Sequence, residues 1–96
     1  MRESTYQARL IDILRDMFPG CMILKNDSGY LQGIPDLLIL YHSSWAALEV
    51  KASINSPTQP NQEYYIEMLD TMSYASFISP ENEEEVLYAL QQTLRP

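Results

Sequence analysis

Two apolar runs, Leu37–Tyr41 and Trp45–Val50, are separated only by His42-Ser43-Ser44. A break that short between two segments of strand-forming residues leaves room for little more than a tight turn, so the runs predict an antiparallel hairpin. Pro35 cannot donate to a ladder and marks where the first strand begins. With a two-residue turn at His42-Ser43, Tyr41 faces Ser44 and the register sets Asp36 opposite Glu49. Strand alternation then puts Lys51 on the same face, one step beyond Glu49. A three-residue turn would shift the register and separate these groups unless a bulge restored it.

Two carboxylates brought together on a half-buried face repel each other, and one takes up a proton unless a cation sits between them. A divalent ion is such a cation, and a set of oxygen ligands favours Mg²⁺ or Mn²⁺ over Zn²⁺. The Lys51 ammonium beside such an ion would help to lower the pKa of a water and stabilise a phosphorane. The plainer reading makes Glu49 and Lys51 an exposed ion pair and Asp36 a turn cap after proline. Spacing alone leaves both readings open, because isolated P-D and E-x-K matches arise often by chance.

The rest of the chain supplies a frame for the hairpin. Apolar residues Tyr6, Leu10, Ile13, Leu14 and Met17 recur at helical spacing from Ser4 to Phe18, with Ser4 and Gln7 as a capping box and Pro19-Gly20 as a stop. Cys21–Leu24 reads as a short strand, followed by the turn-rich NDSGYLQG segment, residues 26–33. Residues 53–62 read as a loop that opens a second helix, with Pro60 at its first position and Tyr65, Met68, Leu69 and Met72 as its buried stripe. Tyr74–Ile78 predicts a fourth strand, and Ser79-Pro80-Glu81 the start of a last helix carrying Leu87, Leu90 and Leu94. The predicted order is α-β-β-β-α-β-α within one α/β domain spanning residues 1–96.

The string G-I-P-D, followed by E-V-K and then by Q-P-N-Q opening a helix, resembles the PD-(D/E)xK nuclease signature, most of all the small stand-alone VRR-NUC domains common in phages. The resemblance runs from Glu3 to about Val86. It implies a restriction-endonuclease-like αβββαβ core, a mixed central sheet flanked by helices, here with an extra C-terminal helix. It also implies a metal-dependent DNA endonuclease that uses Mg²⁺ or Mn²⁺, acts on branched DNA such as a four-way junction, and works as a homodimer. Carried onto this sequence, Asp36 and Glu49 resemble the metal ligands, assisted by the Val50 carbonyl and by Glu3. Lys51 resembles the water-activating lysine, and Gln62 a residue that supports the site or touches DNA. Lys25, beside the Asn26-Asp27 turn, is a candidate phosphate contact, whereas Asp27 and His42 read as turn residues and Tyr64 and Tyr65 as helix packing. A tyrosine on a helix can also stack on a base.

Net charge bears on the partner. The chain carries −7, yet its acidity is uneven. Residues 1–51 hold Arg2, Arg9, Arg15, Lys25 and Lys51 against Glu3, Asp12, Asp16, Asp27, Asp36 and Glu49, whereas residues 52–96 hold only Arg95 against seven acids. The first part of the chain is therefore free to face a polyanion, with weak and salt-sensitive affinity. Two other readings are a catalytically weak accessory module of nuclease fold and an acidic DNA-mimicking inhibitor; a mimic, however, has no use for a lysine among its acids. No apolar run is long enough to span a bilayer, and the single cysteine, Cys21, allows no internal disulfide. Together these features predict a cytoplasmic protein with Cys21 as core filler, and the resemblance implies one that is phage-encoded or bacterial.

Overall fold

A two-residue turn closes the predicted hairpin: Tyr41 pairs with Ser44, Ile39 with Ala46 and Leu37 with Leu48. His42 takes the turn with φ 55, and Ser44 Oγ donates to the Tyr41 carbonyl at 2.7 Å. The structure, a computed structural model, describes residues 1–96. Its elements are α1 (Glu3–Met17), β1 (Met22–Lys25), β2 (Leu37–Tyr41), β3 (Ser44–Val50), α2 (Gln62–Met72), β4 (Tyr74–Ile78) and α3 (Glu83–Thr93), in the order read from the sequence. No helix is long and apolar enough to cross a membrane.

The four strands form one mixed sheet in the order β1-β2-β3-β4. β1 and β3 run antiparallel to β2, while β4 runs parallel to β3 after the α2 crossover. Period-two alternation gives this sheet two different faces. Leu37, Ile39, Ala46, Leu48, Val50 and Ile78 form a buried core with Tyr6, Leu10 and Leu14 of α1 and Val86 and Leu90 of α3. These two helices are also tied by polar groups: Tyr6 Oη donates to Glu83 Oε1 at 2.8 Å, and Arg9 lies 3.9 Å from the same carboxylate. Glu83 is thus a fastening between α1 and α3, whereas Glu84 and Glu85 beside it are exposed. Cys21 is half-buried against this core.

The opposite face carries Leu38, Leu40, Trp45, Ala47 and Glu49, with Met22 and Leu24 of β1 beside them by register. α2 lies over β4 and β3, leaving the β1–β2 half of this face open. Met22 and Leu24 are accordingly 58% and 41% exposed.

Helix starts differ from the sequence reading at all three helices. α1 begins at Glu3 with Arg2 as its N-cap, so Ser4 makes no capping box. α2 begins at Gln62, after Asn61 in the left-handed region at φ 70, and Pro60 lies outside the helix. Ser79 and Asn82 close a turn of their own, in which Asn82 Oδ1 accepts from the Ser79 N–H at 2.7 Å, and this delays α3 to Glu83. The stripe expected to be buried on α2 is only half-buried at Tyr65, Met68 and Leu69, and Met72 is exposed. One strand pair is too narrow a floor to bury a helix completely.

Candidate active site

The β2–β3 ladder is recorded as far as Leu37↔Leu48, and the next residues leave it in a way that builds the site. Continuing the register sets Pro35 opposite Val50, and proline has no N–H to give. Instead, the Val50 N–H donates to the Asp36 side chain, Oδ2, at 2.9 Å. The N–H and C=O of one strand residue point the same way, so the Val50 carbonyl faces this side too and receives no ladder donor from Pro35. The Asp36 main chain is held from the other side by the Asn26 N–H, which donates to its carbonyl at 2.9 Å. Asp36 therefore closes the ladder and keeps Oδ1 clear of that bond.

Glu49 and Lys51 are buried, at 3% and 7% exposure. This excludes the exposed ion pair of the plainer reading, and no salt bridge joins the two. Gln62 stands between them: its Nε2 donates to Glu49 Oε2 at 3.0 Å, and its Oε1 accepts from Lys51 Nζ at 2.8 Å. The Gln59 N–H also donates to Oε1 at 2.8 Å. Two donors on one atom settle which end of the amide is oxygen. Lys51 Nζ makes a second bond to the Pro57 carbonyl, at 3.1 Å. An ammonium has three protons, so one remains without a hydrogen-bond partner in the protein.

That cavity has a volume of about 770 Å³ and is walled by Asp36, Glu49, Lys51, Gln62, Glu3 and polar residues of the loops after β1 and β3. A close backbone approach fixes its rim. Gly33, at φ 91, lies so near the start of α2 that a Cβ there would sit 2.7 Å from Asn61 Cβ and 2.8 Å from the Pro60 carbonyl oxygen. Only glycine fits this contact, which holds the β1–β2 loop against the residue preceding Gln62.

Electrostatically the site is unsatisfied. Burial, then the negative charge of Asp36 and a hydrogen bond to the Asp36 side chain, push the Glu49 carboxyl up to about 8, with Lys51 opposing and Glu3 adding to the rise. Glu49 Oε1 is buried and no N–H or hydroxyl of the protein donates to it. A buried carboxylate oxygen that no donor reaches, beside a second carboxylate, fits a cation ligand.

No family model, curated protein or solved structure matches this chain.

Of the residues singled out from the sequence, Asp36, Glu49, Lys51, Gln62 and Glu3 meet at one cavity. Glu3, the first residue of α1, lines this cavity while remaining exposed. The Val50 side chain belongs to the core, leaving only its main chain at the site. Lys25 is exposed at the end of β1 and does not line the cavity. Asp27 is a turn residue as read, with Oδ1 accepting from the Gly29 N–H at 2.8 Å. Tyr64 is 59% exposed and packs edge-on against Tyr65. No three His, Cys, Asp or Glu side chains stand close enough together to hold one metal ion, so Glu3 lines the cavity without joining Asp36 and Glu49 as a third direct ligand. The Pro57 carbonyl was not foreseen as a partner of Lys51; the only hint was a loop rich in proline following E-V-K.

Proposed function

We propose that this chain is a divalent-metal-dependent DNA endonuclease of the PD-(D/E)xK type, similar to the small VRR-NUC domains and sharing their restriction-endonuclease-like arrangement, with branched DNA as its substrate. The observation that carries this reading is a buried carboxylate with a bare oxygen, Glu49 Oε1, beside Asp36 and one amide away from a buried lysine. A surface ion pair needs neither burial nor a bare oxygen. Asp36 and Glu49 would hold Mg²⁺ or Mn²⁺, with the Val50 carbonyl as a further oxygen donor and Glu3 contributing through water. When bound, the ion supplies a Lewis acid that offsets the charge on the phosphate and makes water a nucleophile at neutral pH.

The chain's own residues do the rest. Lys51 offers its remaining N–H to a water or a non-bridging phosphate oxygen, countering the negative charge that grows as water adds to phosphorus and the opposite P–O bond breaks. Gln62 holds both Lys51 and Glu49, so ammonium and carboxylate keep a fixed separation. Lys25 is available at the foot of the β1–β2 loop to contact a phosphate farther along the strand. The test is a cleavage assay on supercoiled plasmid and on a four-way junction. Cutting that requires Mg²⁺ or Mn²⁺ is expected, and intact DNA with both ions would end the proposal.

A homodimer belongs to the same reading, since two sites related by a two-fold axis can cut two strands. The open half of the sheet face, Met22, Leu24, Leu38, Leu40 and Trp45, is apolar and uncharged, so two copies of a chain of net charge −7 can meet there without opposing acids. Sedimentation velocity should give a dimer for the parent and a monomer for Leu24→Lys, with unchanged melting. A parent that sediments as a monomer at tens of micromolar would remove this part of the proposal.

A further inference from the structure

Tyr30 is 89% exposed, more than any other large apolar side chain of the protein. It is nevertheless presented by an ordered loop. Asn26 closes the loop's base from both its groups, its N–H donating to the Asp36 carbonyl at 2.9 Å and its Nδ2 to the Pro35 carbonyl at 2.8 Å. Within the loop, the Asp27 carbonyl accepts from the Tyr30 N–H at 3.1 Å, and Gly33 is pressed against Asn61 and Pro60. Residues on either side of Tyr30, among them Gly29 and Gln32, wall the candidate active-site cavity. Tyr30 itself lines an adjoining groove with Asn26, Asp27, Leu31 and Ile34, and Ile34 also walls the cavity, so a bare aromatic ring is held beside the candidate site.

Charge cannot provide most of the grip on a polyanion. The chain is strongly acidic, and the cavity's own lysine is committed inside it. Stacking on a base needs no charge, and every base has a π face. In an intact duplex those faces are covered by neighbouring base pairs, so an aromatic ring at the surface can stack only on a base that is unpaired or turned out. Resting on the nuclease reading of the cavity, we infer that Tyr30 stacks on an unpaired nucleobase of the strand whose phosphate enters the Asp36–Glu49 site. Unpaired nucleotides beside the scissile phosphate are then the feature of branched DNA that the protein reads.

The test is a binding measurement that does not depend on cutting. Fluorescence anisotropy is recorded for the full chain with a labelled blunt duplex and with the same duplex carrying a single-stranded flap, in buffer with Ca²⁺ and without a divalent ion. Tyr30→Ala should weaken flap binding by about 5- to 150-fold, the equivalent of one stacked base at about 1–3 kcal/mol. Tyr30→Trp should retain it, and blunt-duplex binding and melting temperature should stay as in the parent. Equal flap binding by parent and Tyr30→Ala overturns the inference, as does an equal loss on blunt duplex or a parent that binds neither DNA. A parent that binds the flap through Tyr30 but never cuts it sinks the nuclease reading and leaves the stacking role standing.

Discussion

Lys51→Ala is expected to reduce single-turnover cleavage by about 10²- to 10⁴-fold, the range associated with one positioned charge or proton-transfer group. Two losses are combined in that figure. The first is the remaining N–H of the ammonium, which the proposed mechanism gives to water or phosphate. The second is indirect: Lys51 is the positive charge that opposes the rise of the Glu49 carboxyl, so without it Glu49 holds its proton to still higher pH. The pH profile separates them. Raising the pH restores the ionised carboxylate in Lys51→Ala and recovers the indirect part, while the direct part stays lost. The residual activity of the variant should therefore rise over a more alkaline range than that of the parent. Lys51→Met provides a check on folding, because it keeps most of the stem that brings Nζ within 6.0 Å of the Phe77 ring centre while removing the charge. A Lys51→Met protein that cuts as fast as the parent would remove lysine from the mechanism.

The hairpin was legible because a two-residue turn leaves one register, and Tyr41↔Ser44 propagates to Leu37↔Leu48 without a bulge. What lies past the ladder's last recorded pair was only half legible. The sequence brings Asp36 and Glu49 to the same end of the sheet, but it does not reveal that Asp36 spends one oxygen on the Val50 N–H, which needs the strand to diverge at Pro35. Gln62 was visible as a residue at the head of a helix; its place between Lys51 and Glu49 depends on Asn61 turning the chain through φ 70 immediately before it. The helix starts were misread for a related reason. Pro60 and Pro80 are acceptable first helical residues by φ alone, but the polar groups around them close turns that postpone the helix. The exposure of Tyr30 is the least legible of all, since an aromatic in a turn-rich segment looks the same in sequence whether it folds inward or stands in solvent.

Metal-free protein should lose stability as pH rises from about 5 to about 8, and Mg²⁺ or Mn²⁺ should cancel much of that loss. The sign follows from Glu49, whose folded-state carboxyl is raised to about 8 from an ordinary 4.5. Between those values the native state keeps a proton that the unfolded chain has released, so the contribution of Glu49 is fully present below the lower value and is lost as pH rises through the upper one. One proton difference sets a ceiling of about 1.4 kcal/mol per pH unit. Water in the open mouth of the cavity screens the carboxylate and keeps the slope below that ceiling. A divalent ion binds the ionised pair and not the protonated one, so its stabilisation should grow with pH over the same window. Glu49→Gln has no proton to exchange and should show a flatter pH profile and a smaller response to either ion. Asp36→Asn keeps an acceptor for the Val50 N–H while removing the charge that raises Glu49, so without metal it should melt higher than the parent near pH 8. Thermal unfolding of the three proteins at several pH values, with and without Mg²⁺ or Mn²⁺, measures all of this. If Glu49→Gln and the parent respond equally to both pH and metal, the buried carboxylate is not where protons and cations compete.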